Sequence, residues 1–121
     1  MLSAAAYGAA GLGGVFNVLI AVAFARDPAE GMRANNHVLA QLPNVMTGRY
    51  LANVFLTAGA LILGDLRVIG WLFAAYALMA FADTFIYHRA GLPHGKHTFA
   101  GVAATLVALI AVIAHFSNGA A

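Results

Sequence analysis

The chain has no cysteine among its 121 residues. Disulfides, thiolate nucleophiles and cysteine-ligated metal centres are therefore excluded. Charge is nearly as scarce. Six Lys and Arg with four Asp and Glu make up 8% of the sequence, where soluble domains carry about 25%. The formal net charge is +2, but so few cations cannot build the basic face that nucleic-acid binding requires. The sequence has no glycine-rich phosphate loop, no Ser-His-Asp order and no HExxH motif. What remains is apolar, at 63% against roughly 45–50% in ordinary domains. That excess points to a membrane.

Four apolar runs are long enough to use it. Residues 4–25 hold no formal charge, residues 50–64 form a second run extended by the polar "NVMTGR" before it, residues 68–87 carry only Asp83, and residues 98–116 carry none. About 20 such residues cross a bilayer as helix. The expectation is an all-α, up-down-up-down bundle of four transmembrane helices, about 4–25, 46–64, 68–88 and 97–116, forming one integral membrane domain over residues 1–121. "AFA" at 23–25 resembles a signal-peptide cleavage site, but no basic stretch precedes the first run, so a retained first helix is expected.

Basic residues set the expected orientation. Arg26, Arg33 and Arg49 lie in or at the end of the first loop, counted as 26–49, Arg89 and Lys96 lie in the third, and Arg67 alone lies on the other side. Loops 26–45 and 88–97 are then cytoplasmic, and both termini face the periplasm from the inner membrane. Within the first loop, "RDPAEGMR" reads as a helix start with Asp27 as cap and Pro28 at the first position. The following segment, interrupted by Pro43, reads as partly interfacial, either a cover for a cavity mouth or a plain linker.

Each span carries one stripe of small and polar residues at helical spacing. The first has Ala6, Ala10, Gly13, Gly14, Asn17 and Ala21, and the second Arg49, Asn53, Thr57, Ala60 and Gly64. The third has Tyr76, Ala80, Asp83 and Tyr87. The fourth has His97, Gly101, Ala104, Ala108, Ala111 and His115. Small residues let membrane helices approach, and polar ones need partners across the contact. The stripes are therefore expected to face one another, leaving Phe16, Leu19, Phe55, Leu56, Leu72 and Phe73 to lipid or to a second subunit, hence a dimer or trimer.

Asp83 is the foremost candidate, because a carboxylate between membrane helices is costly unless paired or hydrated. Arg49 is its expected partner, either as a structural clasp or as part of a polar pocket near the cytoplasmic leaflet. In the pocket reading Asp83, Tyr87, His97 and Arg49 are catalytic, and Asn17, Asn53 and His37 bind substrate. No cofactor is required. Two alternatives use one: a metal ion on His88, His94 and His97, or a haem with His37, His94 or His97 as axial ligand. The small multidrug exporters carry a glutamate in their first helix, which is absent here. The Asn- and Phe-rich signature of small fluoride channels is missing too.

From residue 47 onward, Gly48-Arg49 opening a helix, the "GDLRVIG" turn, Asp83 late in the third span, "HRAG" after it and a histidine opening the fourth resemble an uncharacterised family of small four-helix membrane proteins allied to DoxX. The family's usual Arg-Asp pair reads Arg49-Tyr50 here. The resemblance implies fold and membrane location and carries no established reaction. A similarity of layout to styrene oxide isomerase, which uses haem as a Lewis acid, sets Tyr87 against its helix-three tyrosine and His37 against its histidine after helix one. The reading that follows is a membrane-embedded acid–base enzyme, of isomerase, cyclase or epoxide-opening type, acting on a lipophilic small molecule. The alternatives are a structural or accessory subunit and a small transporter or channel subunit.

Overall fold

The computed structural model describes residues 2–118. Five α-helices fill it, α1 (Leu2–Arg26), α2 (Pro28–Ala34), α3 (Leu42–Leu63), α4 (Leu66–Arg89) and α5 (Gly95–Asn118), with a 3-10 turn at Leu39–Gln41. Among the described residues there is no strand. Four helices are long and apolar enough to cross a membrane, lying within Ala4–Arg26, Leu39–Leu63, Leu66–Arg89 and Gly95–Ser117. The chain is thus all-α and an integral membrane protein. It falls into two compact units, Met1–Gly48 and Arg49–Ala121.

In the first unit the Asp27 cap forms as the sequence implies. Its Oδ1 accepts from the N–H groups of Ala29 and Glu30, each at 3.0 Å, and Pro28 opens α2 where a missing N–H costs nothing. Gly31 is buried against Phe24, leaving no room for a β-carbon, which would lie 2.8 Å from the ring. Asn36, at φ 57, ends α2 in the left-handed region, and the His37 N–H reaches back to the Met32 carbonyl at 2.8 Å. The second long helix, α3, starts at Leu42 rather than near residue 46. Pro43 does not interrupt it, because proline is tolerated in a first turn whose N–H groups lack intrahelical partners.

In the second unit successive helices reverse direction through short turns. Gly64 (φ 66) ends α3 and Gly91 (φ 68) ends α4. At the latter the Leu92 N–H bonds the Tyr87 carbonyl at 2.9 Å, so α4 closes and the chain turns within a few residues. Helices α4 and α5 then pack antiparallel. Gly70 meets Val112 and Ala111, the ring of Phe81 covers Gly101, and Thr84 Oγ1 lies 3.4 Å from Thr98 Oγ1.

Small side chains make this contact. Among the described residues the buried apolar ones are Ala60, Ala77, Ala104 and Ala111, and no large side chain is fully buried. The expected stripe on α5 is therefore its packing face. Phe55 and Leu56 point outward as expected. Leu72 and Phe73 do not; both are half-buried, and Phe73 meets the Tyr76 ring edge-on, with centroids 5.4 Å apart. Tyr76 also ties α4 to α3. Its hydroxyl donates to the Asn53 carbonyl at 2.7 Å and lies 3.0 Å from Thr57 Oγ1.

Candidate functional site

Three of the expected residues come together where α4 ends and α5 begins. Asp83 and Tyr87 are one turn apart on α4, and His97 is the third residue of α5. Asp83 Oδ2 lies 3.7 Å from His97 Nδ1. That separation is within ion-pair range and slightly long for a hydrogen bond. The rings of His97 and Tyr87 are 4.9 Å apart, tilted by 45°. Both members of the acid–imidazole pair are partly open, with 39% of the Asp83 side chain and 31% of His97 exposed. Asp83 is six residues from the end of α4, about 9 Å of axial rise. The cluster lies nearer the end of α4 than its middle.

Neighbours keep the pair opposed. Thr84 follows Asp83 and Thr98 follows His97, and their hydroxyls meet across the helices. Each also bonds a carbonyl one turn back on its own chain, Thr84 to Ala80 and Thr98 to His94. One turn further along α5, the Phe81 ring fills the notch left by Gly101. Neither threonine stands out in the sequence. Pairing the third and fourth spans antiparallel through the short turn would have placed them side by side.

The remaining expected site residues lie elsewhere. Arg49, the partner expected for Asp83, is exposed and forms no ion pair or hydrogen bond among the described residues. Charge alone selects Arg49, but the tight Gly91 turn delivers His97 to Asp83 instead. Asn53 meets α4 through its backbone carbonyl, to Tyr76. In the first unit, Asn17 turns Nδ2 back to the Gly13 carbonyl at 2.8 Å. His37 lies 6.5 Å from the Phe24 ring and borders a concavity of about 480 Å³ with Met32, Arg33 and Asn36.

The histidines weighed as ligands do not converge. His88 and His94 meet edge to face at 5.0 Å, and His94 Nδ1 lies 3.2 Å from the Leu92 carbonyl. Among the described residues no three His, Asp or Glu side chains gather as a metal site would require. His97 has the one feature common to imidazole ligands, a carboxylate beside Nδ1 that fixes the ring.

At the opposite end of α4, Asp65 caps the helix and is clasped by Arg67. Oδ1 accepts from the Arg67 backbone N–H at 2.8 Å, and Oδ2 accepts from its guanidinium at 2.8 Å. These bonds hold the Asp65 carboxyl at about 2, below its ordinary 3.8. Beside the clasp a groove of about 590 Å³ runs between α4 and α5, lined by Gly70, Trp71, Ala77, Thr105, Ala108 and His115 among others. It contains none of Asp83, Tyr87 or His97. The acid–imidazole cluster and this apolar groove are therefore separate features of one helix pair.

No family model, curated protein or solved structure matches the chain.

Proposed function

We propose that this small membrane protein is an acid–base enzyme acting on a lipophilic small molecule at a membrane boundary. One observation carries the reading: a carboxylate, an imidazole and a phenol lie side by side at Asp83, His97 and Tyr87. A structural tie between two helices needs only two partners, whereas three ionisable side chains gather here. In the proposed chemistry Asp83 orients His97 through Nδ1 and stabilises its protonated form, leaving Nε2 to take or give a proton. Tyr87 supplies a second proton to the substrate oxygen. Such a pair suits isomerisation, cyclisation or epoxide opening.

The reading includes membership of the DoxX-allied family, an inner-membrane location with both termini periplasmic, and assembly as a dimer or trimer. The five-to-one split of basic residues supports the orientation. The outward Phe55 and Leu56 support assembly.

The test is turnover of a panel of lipophilic epoxides, styrene oxide included, and of lipophilic enones by the purified protein in lipid. General acid–base groups contribute about 10²–10⁴-fold. His97→Gln and Asp83→Asn should each lose at least about a hundredfold while melting within a few degrees of wild type. Undiminished turnover in both variants would sink the proposal. So would an inert wild type whose two variants both melt far lower, the signature of a clasp. An absorbance spectrum of the same sample tests the haem alternative, since a Soret band lost in His97→Gln would make His97 an axial ligand instead.

A further inference from the structure

The geometry points to the α4–α5 turn as a docking patch for the phosphate of anionic lipid headgroups, held by Arg89 and Lys96. Of the other four cations, Arg33 is neutralised by Glu30 and Arg67 by Asp65, while Arg26 and Arg49 lie far apart in the sequence with no second unpaired cation beside them. Among the described residues Arg89 and Lys96 have no acidic partner, and the one acid at this end of α4, Asp83, faces His97. Two unneutralised cations therefore lie within eight residues, joined by a turn that the Leu92-to-Tyr87 bond closes tightly. The Arg89 guanidinium rests 5.5 Å over the Phe85 ring, which holds it against the helix flank.

The surroundings favour a lipid over free phosphate. Directly behind the cations both helices turn large apolar side chains outward, Phe85 and Ile86 on α4 and Phe99 on α5, with 59%, 59% and 76% exposed. Their backbone positions lie about one turn, roughly 5.4 Å of axial rise, from those of Arg89 and Lys96. In a bilayer that sets the apolar collar toward the acyl chains and the cations at its outer edge, with the Arg89 head lying over the Phe85 ring. A molecule with headgroup and chain joined meets both; inorganic phosphate meets only the cations.

Each Lys or Arg near an anionic surface contributes about fivefold, so the two together give roughly 25-fold. Native mass spectrometry of the full chain in micelles tests this, with dioctanoyl phosphatidylglycerol, dioctanoyl phosphatidylcholine and inorganic phosphate as probes. The wild type should retain phosphatidylglycerol about 25-fold more strongly than phosphatidylcholine. R89Q/K96Q should bring the two lipids to near parity, while R89K/K96R and R33Q should keep the preference, which separates lost charge from lost fold. Parity in the wild type, an undiminished preference in R89Q/K96Q, or displacement of the lipid by equimolar inorganic phosphate would each overturn the inference.

Discussion

Replacing Tyr76 with Phe removes one oxygen and leaves the ring on Phe73. That oxygen donates to the Asn53 carbonyl at 2.7 Å and lies 3.0 Å from Thr57 Oγ1, spanning α3 and α4. Interhelical hydrogen bonds in membranes average about 0.6 kcal/mol and reach about 1.7 kcal/mol. The Asn53 carbonyl keeps a partner after the change, because Thr57 Oγ1 already donates to it at 2.9 Å. No acceptor is orphaned, so the loss should be about 1 kcal/mol rather than the larger cost of stranding a buried polar group. Thr57→Val should cost less alone, and the double variant should fall short of the sum, because both hydroxyls share one network. Reversible unfolding in mixed micelles, followed by circular dichroism for the wild type and the three variants, measures the cycle. A neutral Tyr76→Phe, or strictly additive losses, would show that this bridge does not join α3 to α4.

Two further outcomes follow from the helix pair and its cap. Gly101→Leu forces a side chain into the space held by Phe81, whose ring lies 2.7 Å from where a β-carbon would stand. It should destabilise by about 1–3 kcal/mol and weaken any turnover by shifting His97 from Asp83; a variant with unchanged melting and turnover would refute tight packing there. Asp65, held at about 2 from an ordinary 3.8, has a folded value below its unfolded one. Its contribution is full above the unfolded value and is lost as pH falls through the folded one. Wild type should therefore lose melting temperature more steeply than Asp65→Asn between about pH 5 and pH 2, and parallel curves would contradict the clasp.

The four spans were legible because length and hydropathy alone define them. Their ends were less so. The sequence places the second span's start near residue 46, yet the helix begins at Leu42, since Pro43 and Asn44 are polar or rigid without being helix-breaking in a first turn. The stripe on α5 was readable from its small residues, because they are what a neighbouring helix can approach. Asp83 and Tyr87 were visible as one face of one helix. Their partner was not, because choosing Arg49 by charge ignores how little chain separates α4 from α5. The threonine pair and the Phe81–Gly101 contact depend on register between helices, which periodicity within a single helix does not encode.

That register has an evolutionary consequence. The segment from Arg89 to Gly95 acts as a gauge block, setting which residue of α5 stands opposite which residue of α4. Each α-helical residue advances the side chain by about 100°. A residue inserted or deleted in α4 after Asp83 or in α5 before His97 would therefore swing one of the pair out of register, and a longer or shorter turn would change how closely the two helix ends meet. Apart from Gly91, whose positive φ the turn needs, and Arg89, the side chains in the segment could drift while its length could not. Selection at this site would therefore be recorded as a constant spacing between an acid and a histidine, even where the intervening sequence had become unrecognisable.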